Sequence, residues 1–177
     1  MRIVRAVRAA VAAAGIIALL TGCSVFGGSG DTASSQDAPI QLNDDGSVKD
    51  TLATLTRRYQ DYDVTIDVLR LTRHDKATRA EFAVTPRSHG STSTLTTSIL
   101  GGIGDASGVY LLDENGLRKY PVLKSTDDKC VCSTGLSGFE LDQPTLLFAD
   151  FPPAPKGVTS LSLVVPQLGP LPAAKLS

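Results

Sequence analysis

The sequence predicts an all-β domain, an antiparallel immunoglobulin-like β-sandwich of about seven strands between residues 60 and 177. Short segments in which apolar and polar residues alternate, turn residues between those segments and little helical periodicity favour this fold class. The immunoglobulin disulfide and its core Trp have no counterpart, because the chain has no Trp and its last two cysteines lie two positions apart. The likeness to immunoglobulins therefore concerns architecture only.

The first 22 residues have the charge and hydropathy order of an export signal. Arg2, Arg5 and Arg8 precede an uncharged, mostly apolar stretch over residues 9–20. That stretch has 12 residues, whereas a helix needs about 20 residues to cross a bilayer. We therefore expect a signal peptide that is removed rather than a lasting membrane span.

The export signal ends in Leu20-Thr21-Gly22-Cys23, which resembles the lipobox of bacterial lipoprotein precursors. The resemblance implies that Gly22 is the last residue removed and that Cys23 carries a diacylglyceryl group. An ordinary secretory signal with an incidental cysteine is the alternative, but this cysteine stands where cleavage would occur. Because two or three acyl chains hold a protein durably at a bilayer, we expect a lipid anchor in the cell membrane, with the chain on the extracytoplasmic face.

The residues after the anchor predict a spacer followed by the folded domain. Residues 24–48 are mostly Gly, Ser, Asp, Thr and Gln, a composition typical of a flexible tether. Within residues 50–59, the spacing of Leu52, Leu55 and Tyr59 suits a short helix. The threonines of this segment favour an extended chain almost as well, so both readings stay open. We assign residues 23–59 to the lipidated cysteine and tether, and residues 60–177 to the sandwich.

Period-two patterns predict the strands. The alternation changes parity near Leu69, which either a β-bulge or burial of both faces of the strand would explain. Asn115-Gly116 between two apolar runs predicts a hairpin, and Pro121 puts its second strand at an edge or a bulge. The predicted strands are 64–71, 80–84, 109–112, 118–123, 145–148 and 161–165. The predicted core contains Ile66, Val68, Phe82, Val84, Tyr110, Leu112, Leu163 and Val165.

The long segment from Ser88 to Gly108 predicts a loop. It is rich in small and polar residues around a few aliphatic ones, and a loop of this length is either mobile or a contact surface. If it is a contact surface, the partner is an envelope protein or a glycan. The binding residues predicted on this basis are Ser91, Thr94, Ile99, Leu100 and Ile103.

Cys130 and Cys132 are the two cysteines left once Cys23 is lipidated. Export places them in a compartment that permits disulfides. Two residues of extended strand span roughly 6.6 Å, close to the upper limit between the Cα atoms of a disulfide, so a bond between them needs a local bend. We expect this bond; two free thiols, or a metal or redox site with further ligands, are the alternatives.

Three segments of the chain resemble a recurrent module of lipoproteins and exported OmpA-family proteins of high-GC Gram-positive bacteria. They are Val-Tyr-Leu-Leu-Asp at 109–113 with the hairpin after it, Cys-Val-Cys-Ser at 130–133, and Phe-Ala-Asp-Phe-Pro-Pro-Ala-Pro at 148–155. The resemblance covers roughly residues 60–170 and implies an immunoglobulin-like sandwich without an assigned activity. Peptidoglycan binding in the larger relatives belongs to an additional OmpA-type domain, so the resemblance does not imply it here.

The residues show no arrangement typical of catalysis. His74 and His89 lie in segments with the composition of solvated loops, no Gly-x-Ser-x-Gly elbow is present, and the Asp pairs lack the spacing of a calcium loop. The sequence also lacks the cluster of basic residues that nucleic-acid binding usually needs. We therefore expect a non-catalytic interaction or structural module of the cell envelope with no cofactor and no metal. An envelope hydrolase or metal-handling protein with an unrecognised site is the alternative.

Overall fold

The computed structural model describes residues 40–90 and 94–177. The predicted signal peptide, Cys23 and most of the tether lie outside the described residues, as does Ser91. Residues Ala38–Ser177 form one compact unit. Among the described residues, the main cluster of buried apolar side chains runs from Ala53 to Leu176. This unit, called the folded domain below, therefore has a core of its own and can be studied without the preceding residues.

The folded domain is a sandwich of two antiparallel sheets, as the sequence predicts. One sheet has the strand order β1-β2-β3-β6; the other has the order β5-β4-β7-β8, and β9 also pairs with β7. In the described part of the chain, seven strands have four or more residues and two have two. The strands are Ala53–Tyr59 (β1), Tyr62–Arg73 (β2), Thr78–Ser88 (β3), Tyr110–Asp113 (β4), Arg118–Pro121 (β5), Thr145–Phe151 (β6), Ser160–Val165 (β7), Gly169–Pro170 (β8) and Ala174–Lys175 (β9).

The helix suggested near residues 50–59 is wrong, because this segment forms β1. It pairs with β2 from Ala53 opposite Val68 to Tyr59 opposite Tyr62. The hydroxyls of Thr56 and Thr65 hydrogen-bond across the two strands at 2.9 Å. The pairing with β2 outweighs the helical spacing of Leu52, Leu55 and Tyr59. The threonines of the segment also favour a strand. The sandwich therefore begins before residue 60.

Of the two explanations for the parity change near Leu69, a bulge or burial of both faces, the structure shows the bulge. The pairing of β2 with β3 shifts register between Val68 and Arg70, so one extra residue is inserted into β2. The core-facing residues are Ile66 and Val68 before the bulge and Leu71 after it. The bulge thus keeps one apolar face on the core although the sequence changes parity.

The hairpin predicted at Asn115-Gly116 is also confirmed, with β5 at the edge of its sheet. The amide N–H of Gly116 donates to the Asp113 carboxylate at 2.9 Å, and a Cβ on Gly116 would collide with that carboxylate. Leu117 closes the turn with φ of 49°, a left-handed conformation that costs energy for a residue with a Cβ. The Asn-Gly signal therefore located the turn correctly, while the left-handed residue is the next one.

The predicted core is confirmed except on β4. Tyr110 and Leu112 are only half-buried, and Leu111 between them is fully buried. The Lys119 ammonium lies 3.8 Å from the centre of the Tyr110 ring, on the outer face. The run Val-Tyr-Leu-Leu is apolar on both parities, so alternation could not decide which face is inside. The confirmed members are Ile66, Val68, Phe82, Val84, Leu163 and Val165.

The end of the predicted tether is part of the folded domain. Leu42 and Val48 form an antiparallel bridge, and the Val48 side chain is buried. Val48 lines one cavity together with Leu69 of β2 and Leu146 of β6. Residues 40–49, called the N-terminal hairpin below, therefore cover part of the outer face of the first sheet.

Two arginines of the first sheet bind β6 and the segment after it: Arg79 of β3 binds within β6, and Arg73 of β2 binds the segment after it. Arg73 donates to the backbone carbonyls of Ala154, Pro155 and Val158 at 2.5, 2.8 and 2.7 Å. Arg79 forms a two-bond ion pair with Asp150, at 2.7 and 2.9 Å.

In the described ranges 40–90 and 94–177, no helix has the length and hydropathy needed to span a bilayer.

Candidate functional site

A polar groove of about 570 Å³ lies between the N-terminal hairpin and the outer face of the first sheet. Its size falls within the usual range of ligand pockets. We call it the outer-face groove. Its floor comes from outward residues of β1, β2 and β3, which alternate with the core residues of those strands. The lining residues are Asn43, Asp45, Gly46, Ser47, Val48, Thr51, Thr54, Thr56, Asp63, Thr65, Asp67, Thr85 and Arg87.

Hydrogen bonds between lining residues hold much of the groove in place. Thr54 donates to the Asp67 carboxylate at 2.6 Å. In the N-terminal hairpin, Ser47 donates to Asp45 through both its amide (2.9 Å) and its hydroxyl (2.6 Å), and Asn43 donates to the Ser47 hydroxyl at 2.9 Å. Side chains that are already oriented lose less conformational freedom when a ligand binds.

The two aspartates of β2 have opposite environments in this groove. Asp67 is 5% exposed, and burial raises its pKa despite the hydrogen bond from Thr54. Asp63 lies at the other end of the groove, where the hydrogen bond with His89 lowers its pKa, helped by Arg58. His89 Nε2 lies 2.6 Å from Asp63 Oδ2.

The described part of the predicted loop from Ser88 to Gly108 contributes several side chains to the core, and two of its predicted binding residues are not available for binding. Residues Thr97–Leu100 form a 3-10 helix in which Ile99 and Leu100 have no exposed surface. Leu95 and Phe139 exchange backbone hydrogen bonds at 3.1 and 2.8 Å, which fixes the loop to the chain after the disulfide. The assignment of Ile99 and Leu100 to a contact surface is therefore wrong.

The other predicted residues of this loop have different positions. Thr94 is exposed, and Ile103 is 99% exposed. Ser91 lies outside the described residues. Thr94 and Ile103 therefore stay candidate contact residues, whereas Ile99 and Leu100 are core.

Cys130 and Cys132 are joined by a disulfide, with 5.3 Å between their Cα atoms, as the sequence predicts. Sequence reasoning missed their neighbour. The Asp105 carboxylate lies beside the disulfide, and one ligand atom from each of the three residues lies within 4.8 Å of the other two. Asp105 is 25 positions away along the chain from Cys130, so no local spacing could indicate it.

The outer-face groove was also missed by sequence reasoning. The period-two pattern gave the polar positions of β2, such as Thr65 and Asp67, whereas the residues of β1 were assigned to the tether. Only the N-terminal hairpin, which was expected to be tether, turns that face into a groove. Comparison of the chain with models of known protein families, with curated proteins and with solved structures gives no match.

Proposed function

We propose that this chain is a lipid-anchored protein on the extracytoplasmic face of the cell membrane, and that its folded domain is a non-catalytic binding module of the envelope. The lipobox at Leu20 to Cys23 supports the anchor. The outer-face groove carries the second part of the proposal, because it is concave, polar and held in shape by its own hydrogen bonds.

The chemistry of the groove favours a glycan as its ligand. Threonine and serine hydroxyls, carboxylates, one amide and one guanidinium line it. Such groups donate to and accept from the hydroxyl groups of a sugar. Three carboxylates against the one cation, Arg87, favour neutral or amine-bearing sugars over acidic ones.

The two aspartates of β2 are poorly placed to act together in glycoside hydrolysis. Glycosidases use two carboxyl groups roughly 5 to 9.5 Å apart. Asp63 and Asp67 lie four residues apart on one strand, which separates their Cα atoms by about 13 Å. Thr65 stands between them, and Asp67 is nearly covered by its neighbours. The two aspartates with opposite pKa shifts therefore serve better as hydrogen-bonding groups than as an acid and base pair.

The anchor is tested by metabolic labelling with palmitate. The wild-type chain should become labelled and partition into the membrane fraction, and Cys23→Ala should do neither. Labelling of Cys23→Ala to the wild-type level would contradict the lipid attachment site.

The groove is tested by nuclear magnetic resonance of the ¹⁵N-labelled folded domain. N-acetylated chitooligosaccharides supply the neutral probe, chitosan oligosaccharides the amine-bearing probe and oligogalacturonates the acidic probe. We expect shifts for amides of Thr56, Thr65 and Thr85 with the first two probes. Thr85→Lys fills the groove and should abolish those shifts, whereas Thr126→Lys, at an exposed turn, should not. Shifts that cluster elsewhere, or that survive Thr85→Lys, would contradict the proposed binding surface.

A further inference from the structure

The geometry points to a metal site that is closed by the Cys130–Cys132 disulfide and opens on its reduction: we propose that the two thiolates and the Asp105 carboxylate then bind a thiophilic divalent cation such as Zn²⁺. The three side chains already converge, with ligand atoms within 4.8 Å of one another. Two sulfurs and one oxygen are ligands that Zn²⁺ accepts.

Backbone hydrogen bonds and the packing of the preceding loop hold Asp105 beside the cysteines. Asp105 forms an antiparallel bridge with Thr134, and the amide of Ala106 donates to the carbonyl of Ser133 at 3.0 Å. The amide of Ser107 donates to the Asp105 carboxylate at 3.0 Å. A Cβ on Gly102 would collide with that carboxylate, so the loop packs directly against it. The oxygen ligand is thus positioned before any metal arrives.

The segment that carries the cysteines is held by backbone hydrogen bonds on both sides, independently of the disulfide. On one side, Val131 donates to Leu123 at 2.8 Å. On the other side, Asp150 donates to Val131 at 2.9 Å, and Ser133 donates to Phe148 at 2.9 Å. The entropic stabilisation from a disulfide grows with the loop that it closes, and this loop holds a single intervening residue. The fold is therefore expected to survive reduction with both sulfurs still beside Asp105.

Reduction and binding balance as two steps. A dithiol reductant of the thioredoxin class transfers two electrons and two protons to the disulfide, which breaks the S–S bond, leaves two thiols and makes the reductant a disulfide. Binding of Zn²⁺ then displaces the two thiol protons to solvent. Cys130 is half-buried and so can be reached by a reductant, while Cys132 is 6% exposed.

The geometry suits tetrahedral coordination with one open position. Zn–S bonds of about 2.3 Å at a tetrahedral angle put the two sulfurs about 3.8 Å apart. Cα atoms 5.3 Å apart allow this separation by rotation of the cysteine side chains. With three protein ligands, the fourth position is left for water or an exchangeable ligand. Sulfur ligands also select Zn²⁺ over Ca²⁺ and Mg²⁺.

The test is a Zn²⁺ titration of the folded domain against a chromophoric chelator, with and without a phosphine reductant. We expect one Zn²⁺ per reduced chain, no binding to the oxidised chain and no competition from Ca²⁺. Cys130→Ser should abolish binding, and Asp105→Asn should weaken it about tenfold or more. Asp127→Asn, an exposed aspartate in the neighbouring turn, is the matched control and should bind as the wild type does.

Circular dichroism of the same samples keeps the outcome decisive. The reduced domain and the Cys130→Ser variant should retain the β-spectrum of the oxidised domain. Equal Zn²⁺ binding by the oxidised and reduced chains, or loss of the β-spectrum on reduction, would overturn the proposal. Undiminished binding by Asp105→Asn would remove Asp105 from the site, and with it the convergence on which the proposal rests.

Discussion

The loop before β4 contains two isoleucines that the sequence treats alike and the structure separates completely. Ile99 has no exposed surface, whereas Ile103 is 99% exposed. Substitution of each by alanine removes the same three carbon atoms. Comparing the stabilities of the two alanine variants therefore tests whether the loop is packed against the core at Ile99 and free at Ile103.

The cost of Ile99→Ala follows from its burial. Three buried carbon groups at about 0.8 kcal/mol each contribute about 2.4 kcal/mol. The cavity left in the core adds about 1 kcal/mol, because the surroundings relax only in part. We expect a loss of about 3.5 kcal/mol in the free energy of unfolding, which for a domain of this size lowers Tm by about 10 °C or more. Ile103→Ala should change the free energy by no more than about 0.5 kcal/mol.

The assay is urea unfolding of the folded domain, followed by circular dichroism. The midpoint of Ile99→Ala should fall with an unchanged m-value, since the same surface is exposed on unfolding. If Ile99→Ala and Ile103→Ala were equally stable, the loop would not be packed and the burial of Ile99 would be refuted.

Three further predictions concern single side chains. Burial raises the pKa of Asp67, so the folded state loses stability as the pH rises above 3.8 and through the raised pKa. The variant Asp67→Asn still accepts the hydrogen bond from Thr54, and its Tm should exceed that of the wild type at pH 7 and equal it below pH 3.8. Equal Tm values at both pH values would contradict the pKa shift. Leu117→Asn should raise the free energy of unfolding by about 0.5 to 1 kcal/mol, because Asn tolerates the left-handed conformation. Urea unfolding measures this change, and an unchanged or lower free energy would contradict the prediction. Arg79→Met should cost about 2 kcal/mol by leaving the Asp150 carboxylate, 12% exposed, without its ion pair, and a double-mutant cycle with Asp150→Asn should recover part of that loss.

Local patterns determined the strands whose two faces differ in polarity. In β2 and β3 most core residues alternate with polar ones, so period two located both the strand and its core-facing side. The parity change at Leu69 located the bulge for the same reason, and Asn115-Gly116 located the hairpin. These features depend on residues within a few positions of one another, which is the range over which a sequence can be read directly.

The tertiary structure decided the features that depend on a partner distant in sequence. Thr54 and Thr56 belong to a strand because β2 pairs with them, and Leu111 faces the core because β7 pairs with β4 in that register. The outer-face groove and the site at Asp105 likewise join segments that are far apart along the chain. The residue type and sequence neighbours of an isoleucine are fixed, whether or not other side chains cover it in the fold. Its burial is a property of the surface that packs against it, and for Ile99 and Ile103 only the folded chain supplies that surface.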